Sequence, residues 1–137
     1  MSDAVALMHG KRGLVMGVAN DRSIAWGISK ALAKHGAEIA FTFQGEALEK
    51  RVRPLAQSLG SQIVLPCDVT DESAVAALVD AAVSNFGQLD VMYNNAGVFG
   101  GVGPIATTPA DEWNKTMDIH VNGVFYGCKH AARVMMP

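Results

Sequence analysis

The sequence is poor in the devices that announce several function classes. Its 137 residues hold only two cysteines, Cys67 and Cys128, with no CxxC pair and no Cys/His spacing suited to a metal. No metal site is expected, and both thiols read as buried and free, packing as small apolar side chains. No apolar run approaches the roughly 20 residues that cross a bilayer. The opening segment, MSDAVALMHGKRG, has no charged stretch leading into a long apolar one, so the expectation is a soluble, cytoplasmic protein that meets no membrane. Neither sign of charge dominates: 11 Lys and Arg stand against 13 Asp and Glu, for a net −2. The densest basic stretch, Lys50 to Arg53, sits in an otherwise mixed helical segment, which argues against a nucleic-acid partner. What is there is a half-apolar chain with 14 glycines, and a chain of this size buries about two-thirds of its unfolded surface in one core. No linker, internal repeat or low-complexity stretch divides it, so residues 1–137 read as a single domain.

Along the chain the apolar pattern alternates between short runs and helical spacing. Leu14 to Val18 is a short apolar run, after which Ile24, Ile28, Ala31, Leu32 and His35 recur on one helical face stopped by Gly36. Glu38 to Phe43 reads as a strand, and Leu48, Val52, Leu55 and Leu59 mark a helix closed by Gly60, with Pro54 inside it as a source of a kink. Gln62 to Leu65 is a third strand. The helix Asp71 to Phe86 turns Val75, Leu78, Val79, Ala82, Val83 and Phe86 inward and carries acids at its positive end, with Gly87 closing it. Leu89 to Tyr93 makes a fourth strand. After a glycine-rich loop, Trp113, Met117, Val121, Val124, Phe125, Cys128, Ala132 and Met135 keep helical spacing, which predicts one helix of about 25 residues, near 40 Å long. Strand and helix in alternation predict an α/β fold with a parallel sheet, helices on both faces and right-handed crossovers.

Three strand ends carry candidate chemistry. Gly17 leaves the first strand and Ser23 opens the next helix, a geometry in which glycine permits close approach and a helix N-terminus offers unpaired N–H groups to a phosphate. The same residues read equally well as a tight turn and a helix cap. Asp68, after the third strand, could accept from an adenine amino group or cap the following helix. Asn94 to Gly97 follow the fourth strand, where an amide ties strand ends together and small residues leave room for a ligand at the crevice where strand order reverses.

These residues resemble the short-chain dehydrogenase/reductase superfamily, in two accents. Residues from about His9 to Val69, including GLVMGVANDRSIAWGISKALAKHGAEIAFTFQGEALEKRV and IVLPCDV, resemble the amino-terminal part of an enoyl-acyl-carrier-protein reductase. From about Thr70, FGQLDVMYNNAGVFGGVGPI and EWNKTMDIHVNGVFYGCKHAARVMMP resemble an ordinary alcohol or sugar dehydrogenase of the same superfamily. The join near 68–71 reads as a splice, and the two accents together as an engineered, truncated chimera. The resemblance implies a Rossmann-like three-layer half domain with strand order 3-2-1-4 and a long C-terminal helix. It places the pyrophosphate of a dinucleotide near Gly17, Ala19, Ser23 and Ile24, the adenine near Asp68 and Val69, the adenosine ribose near Gln44, and the central portion near Asn95, Ala96 and Gly97. A neutral Gln44 favours NAD(H) over NADP(H), although Arg22, Lys50 and Arg51 offer cations for a 2′-phosphate.

The resemblance also implies catalysis by a Tyr with a Lys four residues on, a pattern absent here: Tyr93 precedes Gly97 by four and Tyr126 precedes His130. At the position of the family's active-site Asn on the long helix stands His120, in HVNGVF; Asn122 lies about 200° further round the helix and cannot replace it. No catalytic residue is therefore assigned. The expectation is a domain that binds a dinucleotide or adenine nucleotide without full catalytic machinery, and that covers its fourth strand or long helix by homodimerisation. A residual NADH-dependent oxidoreductase acting on an enoyl thioester or ketone, and a purely structural scaffold with no ligand, are the alternatives.

Overall fold

The computed structural model describes residues 6–137; the reading of the opening segment falls, for its first five residues, outside them. In chain order come β1 (Arg12–Val15), α1 (Ile24–Lys34), β2 (Glu38–Phe43), α2 (Glu46–Ser58), β3 (Val64–Pro66), α3 (Glu72–Phe86), β4 (Val91–Tyr93), α4 (Ala110–Met117) and α5 (Gly123–Met135). The strands form one parallel sheet in the order β3-β2-β1-β4, with Gly13 opposite Ile39 on one side and Val91 on the other. The α/β architecture and strand order are those expected. Among the described residues no helix is long and apolar enough to cross a membrane.

Side-chain alternation in β1 and β2 divides the interior in two. Leu14, Met16 and Ala40 face α3 and α5, packing with Val75, Leu78, Val79 and Ala82. Val15, Ile39 and Phe41 face α1 and α2, packing with Ala25, Trp26, Val52 and Ala56. Because both faces are covered, these strands read as unbroken apolar runs, and full burial of each large side chain contributes about 1.5–3 kcal/mol.

The strands are shorter than the apolar runs because backbone bonding, not hydropathy, ends them. β1 stops at Val15 rather than Val18: Met16 still donates to Tyr93 O at 3.1 Å, then Gly17, at φ +80°, turns the chain away. β4 begins at Val91 because Asp90 is engaged with Arg12, its carboxylate accepting from Arg12 N at 2.8 Å. The helix boundaries follow their caps. Asp71 caps α3, accepting from Ser73 N at 2.9 Å and Ala74 N at 3.3 Å, and Gly87 ends it in the left-handed conformation. α2 runs on through Pro54 to Ser58.

Two expected faces are corrected. In α1 the buried residues are Ala25, Trp26 and Ser29, while Ile24 is 74% exposed; Ser29 satisfies its hydroxyl on Ala25 O at 2.8 Å. The long helix is continuous from Ala110 to Met135, but its middle, Asp118–Asn122, is a π turn. The side it presents to the core is not the large apolar stripe. Trp113, Val121, Val124, Phe125 and Met135 are exposed, and Gly123, Gly127 and Ala131 are buried. The helix lies so close to the sheet that only small residues fit: a Cβ at Gly123 would stand 3.0 Å from Val69 Cγ2, and one at Gly127 would collide with Asn94 Oδ1. Cys128, on the outward side, is exposed rather than buried, whereas Cys67 is buried as expected.

This seating yields a stability prediction. Gly127→Ala is expected to cost about 1–3 kcal/mol through overpacking. Gly27→Ala, in α1 with open space around its Cβ, is expected to add about 0.5–1 kcal/mol through helix propensity. Urea unfolding of both variants checks this, and an undisturbed Gly127→Ala midpoint would show that α5 does not rest on Asn94.

Candidate functional site

Two loops meet at the carboxyl ends of β1 and β4. A Cβ at Gly17 would stand 2.8 Å from Ala96 N and 2.9 Å from Asn95 C, so residue 17 touches the 95–96 backbone directly, an approach that only glycine allows at positive φ. From Gly17 the chain runs to Ser23, the N-cap of α1, whose Oγ donates to Asn20 O at 2.8 Å and accepts from Trp26 N at 3.4 Å. Trp26 and Gly27 make the first bonds back onto Ser23 O. The Ile24 and Ala25 amides are thus orphan donors at the positive end of a helix with no acid in its first turn.

A cleft of about 140 Å³ opens between these loops, lined by Gly17, Val18, Ala19, Thr42, Phe43, Gln44, Leu48, Cys67, Val69, Ala96, Gly97, Val98 and Ile119. It sits where β1 has its chain neighbour β2 on one side and β4 on the other, the switch point at which open α/β sheets bind ligands. Two open hollows continue it. One, of about 440 Å³, lies between Val98–Val102 and the α4 residues Glu112, Lys115 and Thr116; the other, of about 280 Å³, holds Gln44, Asp68, Thr70, Lys115 and Asp118.

No residue lining the central cleft is charged. Burial pushes the Cys67 thiol up to about 11, with the Asp68 and Asp71 carboxylates adding to it, so the thiol is neutral and inert near pH 7. Asp71, hydrogen-bonded first by the Ser73 hydroxyl and then by the Ala74 amide, is held below the usual carboxylate range. Since Asp71 is the cap, Asp68 is released from that role; its carboxylate accepts from Thr70 N at 2.9 Å and Thr70 Oγ1 at 2.7 Å.

Of the sequence candidates, the cleft brings together Gly17, Ala19, Gln44, Val69, Ala96 and Gly97. Asp68 borders the adjoining hollow. Asn95 meets Gly17 through its backbone, and Ser23 and Ile24 stand at the start of α1, outside the cleft wall. His120 lies on the π turn with its Nε2 2.7 Å from Val98 O, and Asn122 is turned to Asp118, as its Nδ2 donates to Oδ1 at 2.8 Å. Sequence reasoning missed Thr42, Phe43, Leu48 and Ile119, and also left out Val18, Cys67 and Val98, which stand beside or close to assigned residues. The first two adjoin Gln44 at the end of β2 and were within reach of it; nothing local marks Leu48 or Ile119, which arrive from helices.

A family model described as enoyl-(acyl carrier protein) reductase matches residues 17–137. Enoyl-acyl-carrier-protein reductase (NADH) 2 of Rhizobium meliloti (strain 1021) is 49% identical over 132 residues, covering 94% of this chain and 49% of its own. That match runs through both accents of the sequence, across residues 68–71. Among solved structures, enoyl-acyl-carrier-protein reductase (NADH) from Aquifex aeolicus VF5 has a TM-score of 0.87 at 34% identity, covering 94% of this chain and 58% of that one. The Anaplasma phagocytophilum enoyl-acyl-carrier-protein reductase, solved in complex with NAD, has a TM-score of 0.85 at 37% identity, covering 93% of this chain and 50% of that one. The chain spans about half the length of the curated relatives it matches.

Gly17→Ala tests the meeting of the two loops. Forcing a Cβ into the left-handed region costs about 1–2 kcal/mol, and the contact with Ala96 adds to it. The expected result is a lowered urea midpoint together with faster amide exchange in residues 95–98; unchanged values for both would mean that the loops do not touch.

Proposed function

The chain belongs to the enoyl-(acyl carrier protein) reductase family of the short-chain dehydrogenase/reductases, and on that premise we propose that it binds NAD(H), in preference to NADP(H), across the cleft at the carboxyl ends of its strands. The observation that carries this reading is the convergence of Gly17 and Ala19, Gln44, Val69, and Ala96 and Gly97 from separate strand ends into one crevice. The Ile24 and Ala25 amides are suited to the pyrophosphate, whose charge no side chain of the cleft neutralises. Asp68 and Val69 take the adenine, Gln44 the adenosine ribose, and Asn95 to Gly97 the middle of the molecule. An uncharged Gln44 suits a ribose hydroxyl and gives a 2′-phosphate no counter-charge.

When bound, the nicotinamide would supply a hydride for reduction of an enoyl thioester, the reaction in the relatives' names. To this chain we assign the holding and orienting of the dinucleotide. Its tyrosines are engaged in packing, Tyr93 against the α1/α2 side and Tyr126 against the α3/α5 side, and neither lines the cleft. We further assign the exposed Trp113, Val121 and Phe125 of the long helix to contact with a second copy, which would remove that apolar surface from water.

Calorimetric titration of NADH, NADPH and AMP tests the reading. NADH and AMP are expected to saturate, NADPH to bind more weakly, and Gln44→Lys to shift preference toward NADPH. Ser23→Ala is a poor probe, because loss of the cap alone costs about 1 kcal/mol of stability. Absence of binding at millimolar ligand would overturn the assignment; turnover of an enoyl thioester by these residues alone would keep the binding and overturn only its restriction to holding and orienting the dinucleotide. Light scattering in the same buffer should give a dimer mass, reduced to that of one chain by Phe125→Asp.

A further inference from the structure

The loop that walls the cleft beyond β4 is held from the long helix rather than from the sheet. His120 Nε2 lies 2.7 Å from Val98 O and 3.3 Å from Val98 N. The shorter contact is a full hydrogen bond, with the ring N–H donating to the carbonyl. The imidazole also covers Gly97, where a Cβ would stand 2.8 Å from His120 Cε1. One turn earlier the Thr116 side chain fills the space over Gly100, so a Cβ there would collide with it. Thr116 and His120 therefore grip the 97–100 segment at two points. Between them in sequence, Ile119 lines the cleft itself. The π turn at Asp118–Asn122 widens the helix where His120 leaves it, a local irregularity of the kind that re-aims side chains at functional sites.

We propose that His120 is a positioning residue for the dinucleotide: without lining the cleft, it fixes the Gly97–Val98 backbone that forms the wall facing the middle of the ligand. This rests on the cofactor reading above. The adenine end, at Gln44, Asp68 and Val69, lies outside the gripped segment, so the two ends of the ligand separate the role from general stability. His120 is exposed, so its removal leaves the core untouched.

The test is titration of NADH and of AMP into wild type, His120→Ala and His120→Gln, with unfolding midpoints measured alongside. In His120→Ala the NADH dissociation constant is expected to rise about tenfold, on the scale of one lost hydrogen bond, while AMP affinity and the midpoint hold. His120→Gln, whose amide can donate to Val98 O, is expected to recover most of the loss. Gly97→Ala should weaken NADH binding in wild type and cost less in the His120→Ala background, because the added methyl then meets no ring. Equal loss of NADH and AMP affinity would reduce His120 to a structural residue and overturn the proposal, as would unchanged NADH affinity in His120→Ala. If wild type binds neither nucleotide, the cofactor reading fails and this inference with it.

Discussion

Backbone resting on backbone at the carboxyl ends of β1 and β4 is the contact from which the site geometry follows. Gly17 lets the loop leaving β1 lie against Asn95 and Ala96 with nothing between them, and that approach sets the width of the cleft. The same device recurs one layer away. Gly123 and Gly127 let α5 settle onto Val69 and Asn94, which brings Ile119 and His120, on the preceding turn, to the same loop. A larger side chain at any of these positions would hold two segments apart that the site needs in contact.

Electrostatics divides the molecule between a neutral cleft and a charged rim. The cleft wall offers a neutral thiol, an amide, a hydroxyl and backbone dipoles, so negative charge there would be met by oriented N–H groups at the start of α1. The polar and charged side-chain pairs lie outside. Lys129 Nζ reaches Glu72 at 2.6 Å, His130 Nε2 reaches the same carboxylate at 3.1 Å, and Arg133 reaches Asp80 at 2.7 Å, all between α3 and α5. Lys129 first, then His130, holds the Glu72 carboxyl below its usual range. Exposed pairs of this kind add little stability; they set the register of α5 along α3, while the glycine contacts seat α5 on Val69 and Asn94.

Much was legible in the sequence because it depends on neighbours in the chain. Strand and helix alternate visibly, Ser23 and Asp71 announce the starts of α1 and α3, and Gly36 and Gly87 mark helix ends. The parallel order β3-β2-β1-β4 came from family resemblance and holds. The long helix is the instructive failure. Its sequence carries two stripes at helical spacing: the more apolar one, with Trp113, Val121 and Phe125, is exposed, and the one of small residues, with Gly123, Gly127 and Ala131, is buried. Hydropathy ranks residues by transfer from water, while close helix-to-sheet packing selects by volume, and here volume decided.

The sequence alone determined the elements, their caps and the set of strand-end residues from which a ligand site could be made, since propensity, capping and periodicity act over a few residues. Only the tertiary structure decided which of these residues share a wall. It drew Gln44, Val69, Ala96 and Ile119 into one cleft with Gly17, left Ser23 and Ile24 at its approach, assigned the α3 cap to Asp71 instead of Asp68, and set His120 on Val98. Those outcomes depend on where backbones far apart in sequence come within van der Waals contact, a distance that no local pattern of residues records.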